Sequence, residues 1–298
     1  MNSAKQHTDD ITTSAYADGG GKYSPFQLAQ KYIRYYLTAA NGKGHGIHSP
    51  FVFDLIKNVL NDSRVFPEYA AIERLRSHLE SDPAILQIED MGAGSALGGA
   101  SKKILSRSVA DIARRMAKPK KLGQLLFRLA RYYRPERVLE LGTSLGLSTA
   151  YLAVGAGSAK ATGGRSAKVF TIEGAPEVGA VAKNNFRVLG LENIDVTIGN
   201  FDRVLDATLN RAGRIDLAFI DGNHRLEPTL RYFNALYGQL SPSAVLIFDD
   251  IHWSREMEAA WESIKKDPRV TLSVDLFFIG LVFFRDNFKV KQDFVIRF

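Results

Sequence analysis

The sequence predicts an α/β protein: a doubly wound, mostly parallel seven-stranded sheet over residues 116–298, ending in an antiparallel hairpin and preceded by a helical extension over 25–115. Two observations carry this. Short apolar runs alternate with amphipathic helical patterns through the C-terminal half, which is the rhythm of a parallel sheet covered on both faces. Several of those runs end in an acid or a glycine just before a helix begins, as strands do where an open sheet binds ligands. The 298 residues, 45% of them hydrophobic, suffice for one such domain and an extension.

Residues 1–24 are polar with a Gly-Gly-Gly run and read as a disordered tail. In 25–40, Phe26, Leu28, Ile33, Tyr36 and Leu37 sit at helical spacing, so a helix is expected there, packed on a core or on a second subunit as in a homodimer. His45 and His48 lie in the Gly-rich loop that follows. Their spacing fits no i,i+4 ligand pair, and a structural or substrate-lining role is the expectation. Residues 90–95 (Asp-Met-Gly-Ala-Gly-Ser) imitate a nucleotide-binding glycine loop. However, 84–89 is a weak strand and Leu97-Gly98-Gly99 a poor helix start, so a loop folded over an active site is expected instead. Leu122, Leu125, Leu126, Leu129 and Tyr133 then form a helical stripe ending at Arg134-Pro135. Beyond it, strands at 137–141, 168–172, 194–198, 217–221 and 244–248 alternate with helices at 148–153, 176–189, 207–212, 229–240 and 256–266. The last two strands, 271–277 and 281–285, meet at Ile279-Gly280, a link so short that they must run antiparallel.

Composition excludes some chemistry. Without cysteine there are no disulfides, thiolate metal sites or cysteine nucleophiles, so any metal must use oxygen or imidazole ligands. The longest apolar run, 276–284, is far short of a membrane span, and a cytoplasmic location follows as the expectation. Residues 102–134 carry eleven Lys/Arg against one acid, Asp111. Solvated helix faces over a site are the first reading of that stretch, and attraction of nucleic acid the second.

The chemistry concentrates at strand ends. Glu140 precedes the turn Gly142-Thr143-Ser144-Leu145-Gly146, an E-x-G-x-x-x-G pattern in which glycines admit a ligand to the backbone. It lacks the G-x-G-x-x-G spacing of dinucleotide folds and suits a cationic ligand without a pyrophosphate. Glu173 ends the next strand, where a carboxylate can accept both hydroxyls of a ribose. Asn200 and Phe201 follow the third strand, an amide and a ring able to flank an adenine. Asp221 and His224 close the fourth strand, and Asp249 and Asp250 the fifth.

In these residues the chain resembles the class I S-adenosylmethionine-dependent methyltransferases, with their Rossmann-like fold. Within them it is most similar to the catechol and caffeoyl-coenzyme A type O-methyltransferases and to uncharacterised bacterial relatives. The resemblance covers about 116–285 and is most specific from Leu122-Gly123 through Ser148. It implies that Gly142, Ser144, Gly146 and Ser148 surround the methionine part of S-adenosylmethionine, that Glu140 lies near its amino group, and that Glu173 holds the ribose. Asn200 and Phe201 would contact the adenine. Asp221, Asp249 and Asp250 match positions for Mg²⁺ or another divalent cation, and His224 falls where those enzymes place a catalytic lysine. Two departures stand out: Asp250 replaces the usual asparagine, and histidine replaces lysine. The leading expectation is therefore O-methylation of a small molecule through its hydroxyl, metal-assisted if the cation is present. An RNA methyltransferase using 102–134 and a cofactor-binding protein without turnover are the alternatives.

Overall fold

The computed structural model describes residues 21–89, 104–157 and 167–298. Residues 90–95 and most of the 1–24 tail lie outside the described residues. In chain order, α1 is Pro25–Thr38, and α2 is Pro50–Leu55, continued by a π-helical turn at Ile56–Leu60. Next come α3, Pro67–Leu79, and a hairpin of β1, Ile85–Glu89, with β2, Ile104–Ser108. The weak strand expected at 84–89 is thus a paired one, and the extension is not wholly helical. Short α4, Val109–Arg115, leads to α5, Lys120–Tyr133, whose left-handed C-cap at Arg134 ends it where Arg-Pro stops a helix.

The alternating portion follows: β3, Arg137–Leu141; α6, Leu147–Ala156; β4, Lys168–Glu173; α7, Pro176–Val188; β5, Ile194–Ile198; and α8, Phe201–Ala212. Then come β6, Ile215–Ile220; α9, Leu226–Tyr237; β7, Leu240–Asp249; and α10, Arg255–Lys266. The chain closes with β8, Leu272–Asp275; β9, Ile279–Phe283; and β10, Gln292–Val295. Among the described residues the main sheet has eight strands in the order β10-β8-β9-β7-β6-β3-β4-β5. From β7 to β5 every pair is parallel, while β9 runs antiparallel to both β7 and β8. The doubly wound α/β fold is as expected, with one strand more: β10 adds to β8 in parallel at the edge.

Side-chain alternation sorts the sheet onto two cores. Val138, Leu217, Phe219, Val245 and Ile247 face α2, α5 and α6, while Leu139, Ala218, Ile220, Leu246 and Phe248 face α8, α9 and α10. Each fully buried Leu, Ile or Phe contributes about 1.5–3 kcal/mol relative to exposure. Val52, Leu55, Ile56 and Val59 of the extension share the first of these cores with β3 and β7, so α2 packs on the sheet itself. The π turn leaves the Val59 carbonyl to accept from Arg128 Nε at 2.7 Å, which explains a buried arginine on α5. Residues 22–24, placed by sequence in the tail, also dock: Lys22 bridges Ser254, and the Tyr23 hydroxyl donates to Glu258 at 2.6 Å.

The sheet reverses direction of winding between β3 and β6, since β4 and β5 extend one way and β7 the other. Open α/β sheets bind ligands outside the carboxyl ends of the strands at such a switch point. Gly142 and Asp221 stand there, and Asp221 N donates to Leu141 O at 2.9 Å.

Candidate active site at the strand ends

The turn after β3 depends on backbone shapes that few residues tolerate. Gly142 has φ +106°, and a Cβ there would stand 2.0 Å from the Asp221 carbonyl oxygen, so only glycine lets the ends of β3 and β6 approach this closely. Ser144, Asn223 and Asp250 are non-glycine residues with positive φ of 48°, 64° and 54°, one beyond each of β3, β6 and β7. Left-handed backbone at three neighbouring strand ends is the clustering that functional sites show.

Glu140 is fully buried. Its Oε2 accepts from Thr149 and, at 2.6 Å, from Thr171, whereas Oε1 is buried with no hydrogen-bond partner. Burial lifts its pKa to about 7 against the pull of those hydroxyls and of Ser148. Glu173, half-buried at the end of β4, accepts from the backbone N–H of Ser144 at 2.8 Å and of Ala175 at 2.9 Å. Burial raises its pKa in spite of these donors. The first of these bonds ties β4 to the glycine turn, and each carboxylate oxygen keeps a second lone pair for a ligand. An orphaned buried carboxylate oxygen beside a carboxylate at the crevice mouth fits a ligand carrying an amine and vicinal hydroxyls.

Asn200 serves as the N-cap of α8, its Oδ1 accepting from Asp202 N at 2.9 Å. Phe201 packs edge-on against Tyr232 with centroids 5.9 Å apart, and a Cβ on Gly222 would meet its ring at 2.5 Å. The ring therefore spans the ends of β5 and β6.

At the other end of the crevice Asp221, His224 and Asp249 offer ligand atoms within 4.8 Å of one another. Asp250 is not in that group. A cation already stands among them, and the sequence reading missed it: Lys118 Nζ lies 3.0 Å from Asp221 Oδ1 and hydrogen-bonds Asp249 Oδ2. His224 Nε2 is 3.4 Å from the same Asp221 oxygen, and its ring lies 5.6 Å from Trp253. Burial pushes the Asp221 pKa up, but Lys118 and His224 outweigh it and hold the group at about 2. Asp249, almost fully buried, goes the other way: burial and then the like charge of Asp221 raise its pKa well above the usual carboxylate range. Burial opposes the Lys118 charge, yet Asp249, Asp221 and Asp250 together raise its pKa above that of an ordinary lysine. Lys118 thus pairs with both carboxylates that a divalent ion at this place would need. Lys118 is one of eleven basic residues in its stretch, and only its place before Pro119 and a helix start sets it apart.

A cleft of about 440 Å³ lies elsewhere, between α3 and the C-terminal half of α7, lined by His78, Leu79, Val181 and Asn185 among others. One of its lining residues, Asn185, donates from Nδ2 to the carbonyl of Leu145 in the turn after β3 at 2.9 Å.

Residues 139–251 match the family described as "Methyltransferase domain". Over 139 residues the chain is 32% identical to the catechol O-methyltransferase of Mycobacterium tuberculosis, covering 46% of this chain and 58% of that protein. It thus spans less than two thirds of that relative. A cofactor-bound protein from MTB aligns over 80% of this chain and 96% of its own, with a TM-score of 0.51 at 20% identity. An O-methyltransferase from Bacillus cereus in complex with SAH aligns over 76% and 95%, with a TM-score of 0.51 at 18% identity. Identities this low speak for the fold, the Rossmann-like α/β arrangement expected from the sequence. No described helix is long and apolar enough to cross a membrane.

Proposed function

From the methyltransferase domain at 139–251, we propose that this chain transfers the methyl group of S-adenosylmethionine to a hydroxyl of a small molecule. The observation that carries the reading is the convergence of Glu140, Glu173, Asp221, His224 and Asp249 on the carboxyl ends of β3, β4, β6 and β7 at the switch point. Bound S-adenosylmethionine supplies an electrophilic methyl on a sulfonium. The protein's contribution is positioning and electrostatics.

Glu173, anchored by two backbone N–H groups, offers its remaining lone pairs to the ribose, and Phe201 with Asn200 flanks the adenine. Glu140 directs its unpartnered oxygen to the amino group, while Gly142, Ser144, Gly146 and Ser148 shape the methionine end. His224 accepts the proton of the acceptor hydroxyl, oriented by Asp221 on one side and Trp253 on the other. S-adenosylmethionine held by these residues would give its methyl to the oxygen that His224 deprotonates and would leave as the neutral thioether. Lys118 pairs with Asp221 and Asp249 and supplies the positive charge beside the acceptor in this reading.

The basic stretch gives little support to an RNA substrate. Arg128 is buried, Arg107 and Arg115 pair with Asp111, and Lys121 and Arg131 lie over the rings of Phe298 and Phe66. Labelled S-adenosylmethionine offered with phenols, catechols, acyl thioesters and total RNA tests the proposal. Label in a methyl ether supports it; label only in RNA, or in nothing, contradicts it.

A further inference from the structure

We infer that Lys118 is the resident cation of the acceptor end of this crevice, holding the place a divalent metal would take, and that it makes acceptor activation independent of bound metal. The catalytic half of this inference rests on the methyltransferase reading above. The structural half does not.

The geometry is that of a filled cation site. Three groups with ligand atoms inside 4.8 Å would gather around a hard ion, which carboxylates hold at about 2.0–2.6 Å. Instead the Lys118 ammonium bridges Asp221 and Asp249, the latter 1% exposed. Two facing carboxylates at this burial require a positive partner, and here the chain provides it from its own sequence.

The backbone of the lysine is held on both sides. Arg76 of α3 donates from Nη2 to the Lys118 carbonyl at 2.9 Å. Glu73 holds Arg76 in an ion pair at 3.2 Å and accepts from the Tyr151 hydroxyl of α6 at 2.5 Å. Pro119 fixes the chain on the other side as the N-cap of α5. A relay from α6 through α3 thus sets the height of the loop that carries the ammonium, and the side chain is only 15% exposed. A surface lysine reaching for a passing carboxylate would have none of this.

An ammonium has three N–H donors, and among the described residues Asp221 and Asp249 take two. The third is available to an acceptor oxygen. A fixed positive charge there favours the ionised form of the hydroxyl, as a coordinated metal does, without requiring coordination. The same arrangement ties the extension to the chemistry, since α3 contributes nothing to the sheet yet sets the Lys118 loop.

Mn²⁺ titration followed by electron paramagnetic resonance tests the inference on the full chain, independently of turnover. The wild-type protein is expected to leave the free Mn²⁺ signal undiminished at equimolar protein and metal. Folded Lys118→Met, with its carboxylates released, is expected to bind Mn²⁺ at least tenfold more tightly. One Mn²⁺ per wild-type chain, lost in Asp249→Asn, overturns the inference even if Lys118→Met does not fold. A folded Lys118→Met that takes up no Mn²⁺ also overturns it. Absence of methyl transfer with every acceptor would count against the methyltransferase reading alone and leave the metal result standing.

Discussion

Lys118 and Asp249 are 131 residues apart in sequence and hydrogen-bonded in the fold, joining the loop before α5 to the end of β7. That bond, with the Lys118 contact to Asp221, decides the electrostatics of the crevice: an internal ammonium balances carboxylates that would otherwise repel one another. The expected consequences can be measured residue by residue.

His224→Ala should lower the single-turnover rate of methyl transfer by about 10²–10⁴-fold, the range for loss of a general base, while cofactor affinity stays near wild type. The side chain approaches Asp221 and Trp253 and no core residue needs it for packing. A wild-type rate in the folded variant removes the base assignment.

Glu173→Ala should weaken S-adenosylmethionine binding by about 1.5–3 kcal/mol, the value of hydrogen bonds to a charged group. Because Glu173 also receives the Ser144 and Ala175 N–H groups, the glycine turn should loosen as well and exchange its amide hydrogens faster. Unchanged affinity would place the ribose elsewhere.

Gly142→Ala should cost at least about 2 kcal/mol in denaturant unfolding, since the added methyl meets the Asp221 carbonyl at 2.0 Å and φ is +106°. Stability equal to wild type would show that β3 and β6 do not close as described.

A second buried charge cluster makes stability depend on pH. His252 Nδ1 lies 3.0 Å from Glu258 and Nε2 2.8 Å from Asp275, with the ring stacked on Phe277. Burial opposes its charge, but hydrogen bonds to Asp275 and Glu258 raise its pKa from 6.5 to about 9. A raised folded pKa gives stability that is full below the unfolded value and is lost as pH rises through about 9. The contribution is about 3 kcal/mol. Wild-type thermal midpoints should therefore fall between pH 6.5 and 9.5, and His252→Gln should be less stable at pH 6.5 and flatter over that interval. Parallel slopes for the two proteins contradict this. Glu258 works in the opposite sense: burial raises its pKa, but His252, Tyr23 and Lys31 hold it at about 2, so its contribution is lost only as pH falls from 4.5 towards 2.

The parallel core was legible in the sequence because strands buried on both faces read as continuous apolar runs. Val138-Leu139 and Val245-Leu246-Ile247-Phe248 announce themselves in this way. Strand β10 did not, since Gln292-Asp293-Phe294-Val295 is a four-residue edge strand whose alternation is too short to separate from a loop. Strand β2, Ile104–Ser108, hid in the basic stretch for the same reason. At the site, Glu140, Glu173 and Asp221 could be placed because strand ends converge wherever the sheet switches direction. Asp250 follows directly on Asp249 yet stands outside the Asp221–His224–Asp249 group, which its place in the sequence does not reveal. Lys118 could not be singled out, because the Arg76–Glu73–Tyr151 relay that positions it joins residues 42 and 78 positions apart, a distance over which no local pattern speaks.

Calorimetric titration of the purified full chain with S-adenosylmethionine tests the account most directly, since every role assigned to the crevice depends on that ligand entering it. One saturable site per chain is expected, competed by S-adenosylhomocysteine and weakened in Glu173→Ala. The absence of any saturable binding at millimolar ligand, with the protein folded, would contradict the account.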